Sequence, residues 1–367
     1  MTLFDYINTN YKDKNKFFET LTSFNGLPYF GGKSRQIKEL YNHIFNMMVQ
    51  MNNDGNKCKV LVDAFAGGGK IGLTIPTYGW VDKIVINDKE DFIYSYYKAS
   101  KEKPAALIEM IKRLGSLMCA DMFYIMLYDL KYNNDSNINS VFDEVTKAAM
   151  IYWITKTSRD KHTDINAVYT LTSENEKAEI RNSIEFACKH IPELSKRLNK
   201  KNKTTGKDIY IIENMDYKDL IDRYKSKNTL FYFDPPYYAY TLTGGNQAPY
   251  NTSFPPEKTE EMTQVLLNSN IDYFIKSDYD PKYTLKCKYK DKKEWKKKYT
   301  SFDKLVEKLN IYPDDDKAYH IFDDLEKDPY GKILLGLYDK STRDGTDKGH
   351  EYIWCKGFTP EYYTQST

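Results

Sequence analysis

Cysteine is scarce and scattered. The five residues, Cys58, Cys119, Cys188, Cys287 and Cys355, lie far apart with no C-x-x-C spacing. That pattern suggests neither a zinc site nor a disulfide framework. No His/Cys ligand cluster stands out, so no metal is expected. Long apolar runs are missing too, and none approaches membrane-spanning length. The opening, Met1 to Asn10, lacks a basic-then-apolar leader, so a cytoplasmic protein without membrane contact is expected. Charge of one sign is equally absent. The 367 residues carry a net charge of +2, so a nucleic-acid footprint has to be local, not global. Internal repeats and low-complexity tracts are lacking as well.

Tyrosine is abundant, at 33 residues, and the length allows one large domain plus a smaller one. The chain is organised around Leu230-Phe231-Tyr232-Phe233-Asp234-Pro235-Pro236-Tyr237. Its apolar and aromatic start reads as a buried strand. Pro235 and Pro236 cannot extend a ladder, so the strand stops abruptly and leaves its last carbonyls unclaimed. Asp234, the Pro235 carbonyl and the Tyr237 ring suit an exocyclic amine on a planar base: two acceptors and a stacking face. A strand ending in an Asp-capped turn is the plainer reading of the same residues.

Two upstream segments point to a nucleotide. Lys59–Asp63 is a short strand, followed by the loop Ala64-Phe65-Ala66-Gly67-Gly68-Gly69-Lys70-Ile71-Gly72. Strand, glycine loop and helix make the βα unit that lets a backbone approach a ligand closely. A second strand, Val81–Asp88, ends in an acid where ribose hydroxyls are taken in such units. NAD and S-adenosyl-L-methionine (SAM) fit equally at this point. Ahead of both lies Leu27-Pro28-Tyr29-Phe30-Gly31-Gly32-Lys33-Ser34, a glycine turn with a lysine placed to meet a carboxylate. A helix follows it, with Ile37, Leu40, Ile44, Met47 and Met48 at helical spacing. Residues 89–116 read as helical and 117–205 as helix-rich, with 148–154 a packed helix and Lys196–Lys207 a solvated linker. Strands return at 208–212 and 273–277, Asp216 sits in a loop leaving a strand, and 333–338 with 352–355 suggest a closing antiparallel hairpin.

Taken in order, Pro28-Tyr29-Phe30-Gly31-Gly32-Lys33, Asp63-x-Phe65-x-Gly67-Gly68-Gly69, Ile86-Asn87-Asp88 and Asp234-Pro235-Pro236-Tyr237 resemble the Dam-type adenine-specific DNA methyltransferases. Ile275-Lys276-Ser277-Asp278 looks like the later core strand of that family. The resemblance covers residues 27–100, 208–280 and 333–356. It implies an α/β fold: a doubly wound, Rossmann-like SAM-dependent methyltransferase sheet with an inserted, mainly helical target-recognition domain. The implied division is an extension at 1–26, a catalytic domain at 27–116 and 208–367 with a basic/acidic insertion at 281–330, and a recognition domain at 117–207. For SAM it implies Tyr29 on the adenine and Lys33 near the methionine carboxylate. Asp63 and Gly67 line the methionine end, Asp88 meets the ribose, Asp216 with Tyr217 frames the adenine, and Phe65, Gly68 and Asp234 also bind the cofactor. Asp234, Pro235, Pro236 and Tyr237 then hold a flipped adenine for methylation at N6.

The recognition block departs from the family pattern. It reads Thr155-Lys156-Thr157-Ser158-Arg159-Asp160-Lys161-His162-Thr163-Asp164-Ile165-Asn166, which leaves Arg159 and Lys161 as candidates for phosphate or base contact. A lysine run from Lys282 to Lys298, interleaved with Tyr283, Tyr289, Trp295 and Tyr299, offers Lys292, Lys293, Lys296 and Lys297 to a DNA backbone. A solvated face has the same composition. Double-stranded DNA is the expected partner of a monomer or weak dimer. The alternatives are an RNA base or cytosine N4 as substrate, or a SAM-binding, DNA-binding protein without turnover.

Overall fold

The computed structural model describes residues 24, 26–29, 36–75, 81–135, 142–161, 163, 167–237, 254, 256–279, 321–339 and 348–357. Short apolar runs become five parallel strands: β1 (Val60–Asp63), β2 (Lys83–Asn87), β3 (Tyr210–Glu213), β4 (Thr229–Phe233) and β5 (Phe274–Tyr279). β6 (Tyr330–Asp339) and β7 (Lys348–Lys356) form the hairpin expected from the sequence, and β7 enters antiparallel between β5 and β6. The order β3-β2-β1-β4-β5-β7-β6 reverses between β1 and β4. In such sheets a ligand lies outside the carboxyl ends of the strands at this reversal.

Both faces of the sheet are covered, which is why the parallel strands read as unbroken apolar runs. Side chains alternate along each strand. Leu61, Ile84, Ile86, Leu230, Tyr232, Ile275, Ile353 and Cys355 join one apolar cluster, which also holds α1 (Ile37–Asn53). Val62, Val85, Phe231, Phe233, Phe274 and Trp354 join the other, with α8 (Tyr217–Tyr224) and α9 (Pro256–Asn268). The short α2 (Lys70–Thr74) leaves the glycine loop.

Between β2 and β3 run α3 (Asp91–Glu102), α4 (Pro104–Ser116), α5 (Ala120–Asp135), α6 (Glu144–Thr157) and α7 (Glu176–Leu198). The stretch expected to be helical over 89–116 is two helices, with a break at Lys103, whose φ is −135°. Pro104 lacks the N–H that would continue α3 and instead starts α4 at its first turn. α6 is buried at every position from Ala148 to Thr155, so it forms the middle of the helical layer. It packs on α3, α4 and α5, while α7 packs on α3 and α4. The linker expected at 196–207 is partly helix, and its Lys201 meets Asp208, which also takes Lys101 at 3.1 Å.

Gly115 in α4 marks how closely these helices approach. A Cβ there would lie 2.6 Å from Cζ2 of Trp153, a fully buried side chain whose indole N–H donates to the Ile111 carbonyl at 2.9 Å. Alanine gains about 1 kcal/mol of helix propensity over glycine, but overpacking a rigid core typically costs about 1–3 kcal/mol. Gly115→Ala should therefore lower the urea midpoint. An unchanged or raised midpoint would mean that the contact relaxes freely.

Candidate active site

Four loops leave the carboxyl ends of β1, β2, β3 and β4 side by side. The first is the glycine loop. Gly67 (φ +47°) and Gly69 (φ +68°) adopt left-handed backbone, which a side chain resists. Buried Asp63, the last residue of β1, accepts the Gly72 N–H at 2.9 Å and so anchors the loop to the start of α2. Asp88, just past β2, accepts the Gly67 N–H at 2.8 Å and the Glu90 N–H at 2.9 Å. Burial pushes its carboxyl up to about 6, against the pull of those two donors.

Asn87 fastens these ends together. Its buried amide donates to the carbonyls of Ala64 (2.9 Å) and Met215 (3.1 Å) and accepts the Met215 N–H (2.9 Å). The Asn214 amide adds bonds to the Asp88 and Lys89 carbonyls at 2.8 and 3.1 Å. Asp216 follows as the N-cap of α8, accepting the Lys218 N–H at 3.1 Å and pairing with Lys89 at 2.9 Å. Burial opposes the ionised form of Asp216, but these donors outweigh it and lower its pKa. Tyr217 is buried, with its ring 6.0 Å from that of Phe65, which in turn lies edge-on to Phe254 at 5.9 Å. Its hydroxyl is enclosed without a hydrogen-bond partner among the described residues.

The segment 26–29 lies against the glycine loop. Gly26 N–H donates to the Gly68 carbonyl at 3.2 Å. The Tyr97 hydroxyl accepts from Leu27 N–H (3.4 Å) and donates to the Gly67 carbonyl (2.9 Å). A Cβ on Gly67 would lie 3.0 Å from the Tyr29 ring, so glycine is what lets that ring approach. Lys70 does not reach towards a phosphate, as a lysine in a glycine loop often does. Its buried ammonium donates to the Phe24 carbonyl at 2.8 Å, and burial together with Arg197 lowers its pKa to about 8. Lys33 lies outside the described residues.

Asp234 and half-buried Pro236 follow β4 directly, with Pro235 and Tyr237 buried. The Tyr237 hydroxyl donates to Glu351 of β7, whose other carboxylate oxygen accepts the Gln36 amide at 2.8 Å. Across from Phe233, at the same register of β5, lies Lys276. It is fully buried, paired with buried Asp278 at 2.8 Å and set over the Phe322 ring at 4.1 Å. Burial lowers its pKa while Asp278 and Asp234 oppose that shift. Ser277 and Tyr232 share a hydroxyl bond at 3.0 Å on the opposite face. Sequence reasoning missed Glu351, Gln36 and the Lys276–Asp278 pair. One signal for Glu351 was available: it shares strand parity with Ile353 and Cys355, so an inward carboxylate was due.

Of the DNA-contact candidates, Arg159 and Lys161 form a 3-10 turn after α6. Both are exposed, and Lys161 adopts left-handed backbone at φ +62°. Lys292, Lys293, Lys296 and Lys297 lie outside the described residues. Among the described residues no cluster of His, Cys, Asp or Glu could hold a metal ion, and no helix is long and apolar enough to cross a membrane.

Asp88 gives the site a pH signature. A carboxyl at about 6 when folded and 3.8 otherwise keeps its proton longer in the native state, so stability falls as pH rises from about 4 to about 6. Asp88→Asn should flatten that fall in urea titrations across this window. An identical slope in the variant would show that Asp88 is not the group responsible.

A family model described as D12 class N6 adenine-specific DNA methyltransferase matches residues 29–317. No curated protein matches the chain. The matched span runs from Tyr29 through the glycine loop, Asp88, Asp216 and Asp234. The family's members are enzymes that methylate N6 of adenine in DNA. The chain belongs to the D12 class of N6 adenine-specific DNA methyltransferases.

Proposed function

We propose that the loops after β1, β2 and β3 hold SAM and that Asp234-Pro235-Pro236-Tyr237 receives an adenine flipped out of double-stranded DNA. The observation that carries this reading is the pairing of β1 with β4, in which Asp63 lies opposite Tyr232. Neighbouring parallel strands are about 4.8 Å apart, so the glycine loop and Asp234 leave the sheet next to one another. The donor set suits an adenosine-bearing cofactor. Asp88 offers a carboxylate to ribose hydroxyls, and the left-handed glycines let the backbone approach closely. The enclosed Tyr217 hydroxyl still has a bond to make.

Residue by residue, Tyr29 takes the adenine edge or face of SAM, and Lys33 its carboxylate region. Phe65, Gly67 and Gly68 line the methionine end, with Asp63 holding that loop in shape through Gly72. Asp216 and Tyr217 frame the adenine ring. When bound, the cofactor supplies an electrophilic methyl group on a sulfonium.

The protein's task is to make a poor nucleophile attack it. The lone pair of an aromatic amine is delocalised into its ring. Asp234 and the Pro235 carbonyl accept its two N–H bonds, draw the nitrogen towards tetrahedral geometry and free the lone pair for in-line attack. The Asp234 carboxylate also stabilises the positive charge that develops on nitrogen. A strong base is not needed, because the methylated ammonium readily loses its proton. Tyr237 stacks on the base. Its ring is buried, so stacking requires one face of it to become accessible. Arg159, Lys161 and the lysines at 292, 293, 296 and 297 are the proposed DNA contacts, with helices α5 to α7 as the recognition unit.

Removing a group that stabilises developing charge costs about 100–1,000-fold in rate. Asp234→Ala should lose at least that much adenine methylation, followed by nucleoside analysis of DNA incubated with labelled SAM. SAM affinity in calorimetry should change only a few-fold. Near-normal methylation by this variant would remove Asp234 from the mechanism.

A further inference from the structure

The Tyr237–Glu351–Gln36 chain joins two regions that the reaction must bring together. Glu351 belongs to β7 and is paired on both sides, with Tyr279 of β5 and Gly336 of β6. Its carboxylate is therefore carried by a strand interior, not by a loop, and it is 1% exposed. One oxygen accepts the Tyr237 hydroxyl and the other accepts the Gln36 side-chain N–H at 2.8 Å. Both carboxylate oxygens are thus engaged by side chains from different parts of the chain. The tyrosine oxygen lies on the long axis of its ring, so anchoring the hydroxyl fixes where that axis points. Gln36 is the residue from which α1 starts. In sequence it stands three residues after Lys33, in the segment that begins with Tyr29.

We infer that Glu351 is a positioning residue that couples cofactor binding to base capture, by holding the Tyr237 ring and the start of α1 on one carboxylate. This rests on the assignment of Tyr237 to the base and of residues 29–33 to the cofactor. A shift of Gln36 on cofactor binding pulls on the same group that orients Tyr237, and a base settling on Tyr237 acts back on Gln36. Such coupling is reciprocal: DNA raises cofactor affinity by the factor that the cofactor raises DNA affinity.

The test uses the full chain, S-adenosylhomocysteine as a non-reacting ligand, and unmethylated plasmid DNA. Calorimetry measures ligand affinity with and without DNA. The wild type should show tightening by about 10-fold, within the usual range for coupled sites. Glu351→Ala, Gln36→Leu and Tyr237→Phe should each bring that factor close to one. Glu351→Gln should retain part of it, because its amide oxygen still accepts the Tyr237 hydroxyl. If Glu351→Ala does not fold, Tyr237→Phe and Gln36→Leu decide, since the first keeps the ring and the second changes a half-buried side chain. A factor that persists in these variants, or the absence of any DNA effect in the wild type, overturns the inference. The measurement needs no turnover. Failure of the proposed chemistry would appear separately, as adenine methylation surviving Asp234→Ala.

Discussion

One buried amide holds the site together. Parallel strands end at points set by their own ladders, and nothing in a ladder fixes the loops beyond it. Asn87 supplies that constraint, gripping the backbone at Ala64 past β1 and at Met215 past β3 while itself ending β2. An asparagine offers donors and an acceptor in one plane, and three of these bonds are made here at 2.9–3.1 Å. Glycine loop, Asp88 and Asp216 then have defined separations before any ligand arrives. Preorganisation of this kind reduces what binding must spend on ordering.

A second layer of polar contacts tunes the glycine loop. Tyr97 reaches from α3 to bridge Leu27 and Gly67, and its burial keeps the phenol protonated and able to donate. Lys70 is turned to the Phe24 carbonyl. The segment before α1 and the loop after β1 are thus one structural unit, although some forty residues separate them in the chain. Tyr29 can approach the loop because Gly67 has no side chain in its way.

Much of this was legible in the sequence, for a physical reason. Strands buried on both faces must be continuously apolar, so Val60–Asp63, Ile84–Asn87 and Leu230–Phe233 announced themselves, and the acids at their ends marked the loops. The hairpin of β6 and β7 was legible by the same logic. What escaped depends on partners distant in sequence. Glu351 meets Tyr237 across 114 positions and Gln36 across 315, and no local pattern encodes either. The partner of Lys70 is likewise remote: its ammonium meets the Phe24 carbonyl 46 positions away. Pro104 marks the break between α3 and α4 in plain view.

The pair Lys276–Asp278 bears on how such a sequence can change over generations. Both side chains are completely enclosed, beside the aromatic rings of Phe322 and Trp354. Losing either partner alone strands a charge in the interior, at a cost of about 3–5 kcal/mol, whereas exchanging both for well-packed apolar groups is often neutral. A typical domain has only about 5–15 kcal/mol of stability to lose. Lineages carrying this pair are therefore held to it by the intermediate they would have to cross. The two positions should drift together or not at all, next to the strand that delivers Asp234.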